Sequence, residues 1–326
     1  MQILTVTGAT GQLGQALVRR LANGVDQIRL FVRRPPPADL QNLPNVEVVF
    51  GQLSDSLAVE KAVTHASVVF HLGAAMGGPW EAHEAATITG TRNVIESCLK
   101  HRVPKVIYIS SLSVIDWAGH PRDQPVTESS PLEPAPARRG FYTQAKLEAE
   151  RLVRQAAATR RLPVVIIRPG KIWSESGSLV DAAVALRIGR RYLLIGDGEI
   201  RLPLIHVDDV VEAIVKATQS PYADGRIYQV VGEEPLTRAE LLSLHIRGRD
   251  PGASVIHLSL GLACALARVV EFGFSLLKRN APLTPYRLQS AYAPLTFDCQ
   301  KARTELGWQP QVKSGTMLRK LFSNPL

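Results

Sequence analysis

Short apolar runs recur through the first half of the chain: Ile3–Val6, Ile28–Val32, Val46–Phe50, Val68–Leu72, Val106–Ser110 and Val164–Ile167. They are nearly continuous rather than alternating with polar residues, which predicts strands buried on both faces. Between most of them the apolar residues fall at helical spacing, over Gly11–Leu21, Ser56–Thr64, Thr91–His101 and Phe141–Ala158. Strands alternating with helices predict an α/β protein built on a doubly wound parallel sheet, with right-handed crossovers and helices on both faces. Past Gly170 the pattern weakens and Pro and Gly become more frequent. Leu204–Val207, Ile227–Val231 and the long stretch Val255–Val270 remain apolar there. The expected division is a wound domain over 1–170 and a smaller C-terminal lobe over 171–326, with some segments returning to the main sheet.

The first strand-to-helix junction reads TGATGQLG, Thr7 to Gly14. Glycine lets the backbone turn sharply and lets a ligand approach the main chain. The unpaired N–H groups of a helix's first turn form an anion site, so a pyrophosphate is the natural guest. The plain alternative is a tight turn that binds nothing, and three glycines in a strand–turn–helix setting weigh against it. The spacing differs from the dehydrogenase fingerprint G-x-G-x-x-G. It resembles the T-G-x-x-G-x-x-G loop of the extended short-chain dehydrogenase/reductases, the NAD-dependent epimerase/dehydratase superfamily. That resemblance implies a Rossmann-type nucleotide domain over 1–170, a substrate-binding lobe after it, and a dinucleotide held by Gly8, Thr10, Gly11, Gln12, Leu13 and Gly14.

An acid about 20 residues beyond the loop favours NAD, whereas an arginine accommodates the extra phosphate of NADP. The second strand reads IRLFVRRPPP and holds no acid, so Arg33 and Arg34 point to NADP, with NAD the alternative. The plain reading of the two arginines is a solvated pair ending a strand. The third strand ends VVFGQLSDSL. The resemblance implies an aspartate before Leu53 to hold the adenine amine; Gln52 stands there, and its amide can still bond the base. Asp55 reads as the cap of the next helix. VVFHLGAA resembles the family's fourth strand and cofactor-facing turn, where Gly73, Ala74 and Ala75 let a cofactor lie close to the backbone.

The stretch FYTQAKLEAE places Tyr142 and Lys146 one helical turn apart, on a face that Ala145, Ala149, Leu152, Val153 and Ala156 continue. A lone Y-x-x-x-K usually marks only an amphipathic helix. Here the strand before it, VIYISSLSV, ends in Ser110 and Ser111, where extended reductases place their catalytic serine, and the match favours Ser111. A ketone accepting hydride becomes an alkoxide and must receive a proton. Tyrosine titrates near 10, and an adjacent ammonium lowers that value toward neutrality. The expected roles are proton donor for Tyr142, phenol activation and ribose contact for Lys146, and substrate-oxygen contact for Ser111. Thr87 stands where the family often has asparagine, in TITGTRNV.

Later segments extend the resemblance to about residue 310, with an interruption near 240–290. IIRPGKIW matches the segment passing beneath the nicotinamide, giving Pro169 and Gly170 as cofactor contacts. In IRLPLIHVDD, Asp208 or Asp209 reads as a helix cap rather than an acid, and His206 as structural. Sugar-nucleotide enzymes usually carry an arginine near the substrate diphosphate, where this chain has Leu202 followed by Pro203. The apolar version resembles the 3β-hydroxysteroid dehydrogenase/dihydroflavonol reductase branch. That implies hydride transfer between nicotinamide and a secondary alcohol or ketone of an apolar ring compound. The rivals are a sugar-nucleotide epimerase or dehydratase with tightly bound NAD, and a dinucleotide sensor without turnover.

With 45% hydrophobic and 21% charged residues in 326, the composition is that of a folded globular chain. The net charge of +9 admits a nucleic acid partner, but the arginines are scattered and no nucleic-acid motif accompanies them, so none is expected. Cys98, Cys264 and Cys299 are widely spaced and odd in number, giving neither a disulfide framework nor a metal site and fitting a reducing, cytoplasmic setting. With the glycine loop beginning at residue 7, no leader is expected before the first strand, and no apolar run reaches the ~18 residues of a membrane span. The 255–279 stretch, interrupted by Arg268, Glu271, Lys278 and Arg279, reads either as a helix on a membrane interface or as a lid or homodimer element.

Overall fold

The computed structural model describes residues 2–177, 179–221, 224–276, 281 and 283–323. In chain order the strands are β1 Ile3–Thr7, β2 Gln27–Val32, β3 Val46–Phe50, β4 Val68–His71, β5 Lys105–Ile109 and β6 Val164–Pro169. They continue as β7 Lys171–Trp173, β8 Leu186–Ile188, β9 Arg191–Ile195, β10 Leu204–His206, β11 Ile227–Val230 and β12 Ser254–Leu258. The main sheet has the order β3-β2-β1-β4-β5-β6-β11, every neighbour parallel. The apolar runs of the first half thus become the doubly wound parallel sheet they predict.

Helices cover both faces. Gln12–Leu21 and Val207–Gln219 bury Leu17, Val18, Val210 and Ile214 against one face, where Trp308 is also fully enclosed. On the other face, Ser56–Val63, Gly90–Lys100 and Phe141–Arg160 bury Val59, Val94, Ala149 and Val153. Each fully buried Val or Leu contributes about 1.5–3 kcal/mol, so these two layers hold the sheet rigid beneath its carboxyl edge.

Two small sheets lie beyond the main one, β7 with β10 and β8-β9-β12. The stretch Val255–Val270 is not one helix. Its first residues form β12 in parallel register with β9, as suits the β-branched Val255 and Ile256. The Ser259 hydroxyl then accepts from Leu262 N at 3.3 Å and opens the helix Leu260–Leu276. Lys278 and Arg279 lie outside the described residues. The cap of Val207–Gln219 also differs from expectation. His206 occupies it, its Nδ1 accepting from Asp208 N, while Asp208 and Asp209 sit in the first turn. Asp209 instead turns inward to accept from Gln311 N at 2.7 Å and Val312 N at 3.2 Å, fastening the C-terminal segment.

Candidate active site

Because all strands of the main sheet are parallel, the turns that follow them gather along one edge. The order reverses between β1 and β4, the switch point at which such sheets bind ligands. There the β1 turn touches the β4 turn. Gly8 has φ of +72°, and a Cβ on it would stand 2.8 Å from Gly73 N, so only glycine fits. Gly73 N also donates to Thr7 Oγ1 at 3.1 Å.

From this turn rises the helix Gln12–Leu21, with Gly11 at its N-cap, no side chain capping it and no acid in its first turn. Its leading N–H groups are therefore available to an anion, which is the fit a dinucleotide pyrophosphate requires. Thr10 and Gln12 are exposed and Leu13 and Gly14 sit further in. The Gln12 amide donates to Ser174 Oγ at 2.6 Å, tying the glycine loop to the segment after β7.

Along the same edge, Arg33 and Arg34 follow β2, both exposed and with no acid partner among the described residues. Gln52 follows β3 and is exposed. Leu53 is half-buried, its carbonyl accepting from Asn93 Nδ2 at 2.8 Å. Asp55 caps the next helix, accepting from Leu57 N and Ala58 N. Ala74 and Ala75 continue the β4 turn, and Ala75 N donates to the buried Thr87 hydroxyl at 3.0 Å. Thr87 lies in a π-helical turn, Glu84–Thr89, an irregularity often found at functional sites. The hydroxyl at this position thus braces the cofactor-side turn. Pro169 ends β6 opposite Val230, and Gly170 N donates to Val230 O.

The two serines after β5 part ways. Ser110 is buried and donates to Glu150 Oε2 at 2.6 Å, so it cannot face a substrate. Ser111 is half-buried and accepts from Ser113 N at 3.1 Å. Tyr142 opens the helix Phe141–Arg160, whose entry at Gly140 has φ of +112°, which glycine alone adopts without strain. Burial pushes the Tyr142 phenol above its ordinary value, and the Ser111 hydroxyl beside it acts in the opposite sense.

One turn on, Lys146 is almost fully buried and donates to Ile109 O at 2.7 Å, its Nζ 5.3 Å from the Tyr108 ring centre. Burial lowers it to about 8, against the pull of Glu150. Sequence reasoning expects the ammonium to lower the phenol; in the structure the lysine is anchored on a backbone carbonyl and burial outweighs any lowering. One of its three N–H donors is used on that carbonyl, and two remain.

Two features escape the sequence reading. Glu150, fully enclosed, holds Arg168 through two bonds, Nε at 3.0 Å and Nη2 at 2.5 Å, in addition to Ser110. This braced pair links the Tyr142 helix to β6 directly behind Lys146. His71, in β4, is bonded to Thr7 Oγ1 at 2.8 Å and Thr91 Oγ1 at 2.9 Å, and burial followed by the Lys146 charge lowers it to about 3. It is a neutral pin between the helix Gly90–Lys100 and the glycine turn. A histidine inside an otherwise apolar strand was its only sequence signal.

The substrate side departs from expectation at Leu202. This side chain is buried among Leu204, Leu236 and Leu241, so it is core rather than pocket wall, and the exposed Arg201 stands beside it. A cavity of 570 Å³ opens near the ends of β9 and β12, lined by Gly196, Asp197, Ile200, His257, Ser259, Leu260 and Tyr292; Ser111, Tyr142 and Lys146 are not among its walls.

The fold and this edge define a nicotinamide-dinucleotide α/β protein of the extended short-chain dehydrogenase/reductase class. Residues 4–231 match the NAD dependent epimerase/dehydratase family, and the chain belongs to it. It is 31% identical over 333 residues to the 2-alkyl-3-oxoalkanoate reductase of Stenotrophomonas maltophilia, covering 98% of both chains. It is 30% identical over 284 residues to the 3beta-hydroxysteroid-dehydrogenase/decarboxylase isoform 1 of Arabidopsis thaliana, covering 82% of this chain and 64% of that one. Its fold is similar to the UDP-glucuronic acid 4-epimerase of Bacillus cereus in complex with UDP-glucuronic acid and NAD. The TM-score is 0.74 at 19% identity, over 99% and 98% of the two chains.

Proposed function

We propose that this enzyme is an NADP(H)-preferring reductase or dehydrogenase acting on a ketone or secondary alcohol of an apolar compound, of the kind named for its sterol and oxoalkanoate relatives. The observation that carries the reading is the grouping of Ser111, Tyr142 and Lys146 on the carboxyl edge beside the glycine turn, with Ser110 turned away into the Glu150–Arg168 pair. The dinucleotide supplies or accepts the hydride when bound. The chain's own part is protic. The raised phenol of Tyr142 stays protonated at neutral pH and holds the proton an alkoxide needs. The Ser111 hydroxyl donates to the same oxygen, and Lys146 orients the ribose through its two remaining N–H donors. Gly8, Thr10, Gly11, Gln12, Leu13 and Gly14 cradle the pyrophosphate; Gln52, Leu53 and Gly73–Ala75 flank the adenosine and nicotinamide halves; Pro169 and Gly170 close the far side.

The substrate class rests on charge. A diphosphate taken out of water needs fixed cationic donors, and the register that usually supplies one is filled by Leu202, packed into the core. NADPH oxidation by the purified chain, with a panel of ketosteroids, flavanonols and 2-alkyl-3-oxoalkanoates, is expected to show turnover on at least one member. Calorimetry with UDP-sugars is expected to show no micromolar binding. Micromolar UDP-sugar affinity with no ketone turnover would establish the epimerase reading instead.

A further inference from the structure

The helix Leu260–Leu276 is built inside out. Its small residues Ala263, Cys264 and Ala267 are the buried ones, packed with Ile195, Leu258 and Leu288. Its large ones face outward: Leu262 and Leu266 are 52% exposed and Val269 and Leu276 70%. Positions 262, 266, 269 and 276 share one stripe, and Phe272 is exposed beside it. Only Arg268 and Glu271 are charged in these 17 residues. A helix of a water-facing lid would place charge where this one places leucine.

The apolar surface continues onto the small sheet that the helix covers. In the registers of β8, β9 and β12, Leu186 lies opposite Leu193, and Leu193 opposite Ile256. Ile188, Arg191, Ile195 and Leu258 share that face by alternation. Tyr192 and Leu194 are on the other side and are buried in the core. Helix residues cover the Ile195–Leu258 end, leaving Leu186, Ile188 and Ile256 exposed at the other. Arg190 and Arg191 edge this open end and Arg268 edges the helix, all exposed. Glu271, half-buried, is the acid of the helix, and Asp250 is engaged by Arg187 at 3.1 Å.

We infer that this face lies on an anionic lipid bilayer, with the Leu262–Leu276 stripe and Leu186, Ile188 and Ile256 dipping into the acyl boundary and Arg190, Arg191 and Arg268 at the headgroups. Charge complementarity selects this occupant: a bare apolar stripe would suit a second copy equally, but three exposed arginines at its rim repel their own images across a two-fold axis and attract acidic lipid. No helix among the described residues is long and apolar enough to cross a membrane, so contact is in the plane of the interface. The helix begins at the cavity wall formed by His257, Ser259 and Leu260, so bound lipid lies beside that opening.

The test is flotation of the full chain with vesicles of phosphatidylcholine containing 30 mol% phosphatidylserine, and of phosphatidylcholine alone. Binding to the first is expected, and much less to the second. In Leu266→Ser/Val269→Ser/Leu276→Ser, which alters only exposed side chains, flotation is expected to be lost while the thermal midpoint stays within a few degrees. Each of Arg191→Gln and Arg268→Gln should lower partitioning about fivefold. Light scattering on the same samples decides the rival occupant. Failure of the chain to float, unchanged flotation of the triple variant, or a dimer that the triple variant converts to monomer would overturn the inference.

Discussion

At the residue scale, two titrating groups make opposite demands on the site. Lys146 sits near 8 because its charge is buried, so its ammonium is present below that pH and lost above it. Turnover limited by chemistry should fall as pH rises from 7 to 9, well before the raised Tyr142 phenol ionises; a flat profile over that span would separate Lys146 from the reaction. His71 is neutral in the folded chain to about pH 3 but protonates near 6.5 when unfolded. A depressed folded value means stability present above 6.5 and lost as pH falls toward 3, by at most about 1.4 kcal/mol per pH unit. Urea unfolding at pH 7 and 5 should show His71→Gln losing less stability over that interval than the parent chain. The Arg168–Glu150 pair is a third case. Arg168→Met leaves an enclosed carboxylate without its partner and should cost about 3–5 kcal/mol in the same assay.

Elements differ in how openly the sequence declares them. β1 to β6 are legible because strands of a sheet covered on both faces are mostly apolar, and the helices between them because their buried faces repeat every turn. The three-residue strands β7, β8 and β10 are too short to show a period, and β12 was absorbed into the apolar run that follows it. Of the site, Tyr142 and Lys146 announce themselves by spacing along one helix, and Ser111 by its place just past the end of β5. The Glu150–Arg168 and His71–Thr7–Thr91 contacts join separate elements, and no local pattern records which partner a buried polar residue will meet. Two changes test particular elements. Gly140→Ala meets φ of +112° at the entry of the Tyr142 helix, and is expected to cost upwards of about 1 kcal/mol and to lower turnover by misplacing the phenol. Arg33→Ala with Arg34→Ala, at the end of β2, should weaken NADP far more than NAD in fluorescence titration. Equal weakening would show that the pair does not read the phosphate.

For the whole molecule, the parallel sheet decides where chemistry can occur, since every functional turn is delivered to one edge, while the second half of the chain supplies the cavity and the apolar outer face. On the proposed reading, this edge couples hydride transfer to a proton from Tyr142. That coupling is tested most directly by measuring turnover and NADPH affinity together in Tyr142→Phe, which removes the phenolic hydroxyl and nothing else. Turnover is expected to drop by at least about a hundredfold, with the cofactor dissociation constant within about twofold of the parent. Near-parental turnover in that variant would contradict it.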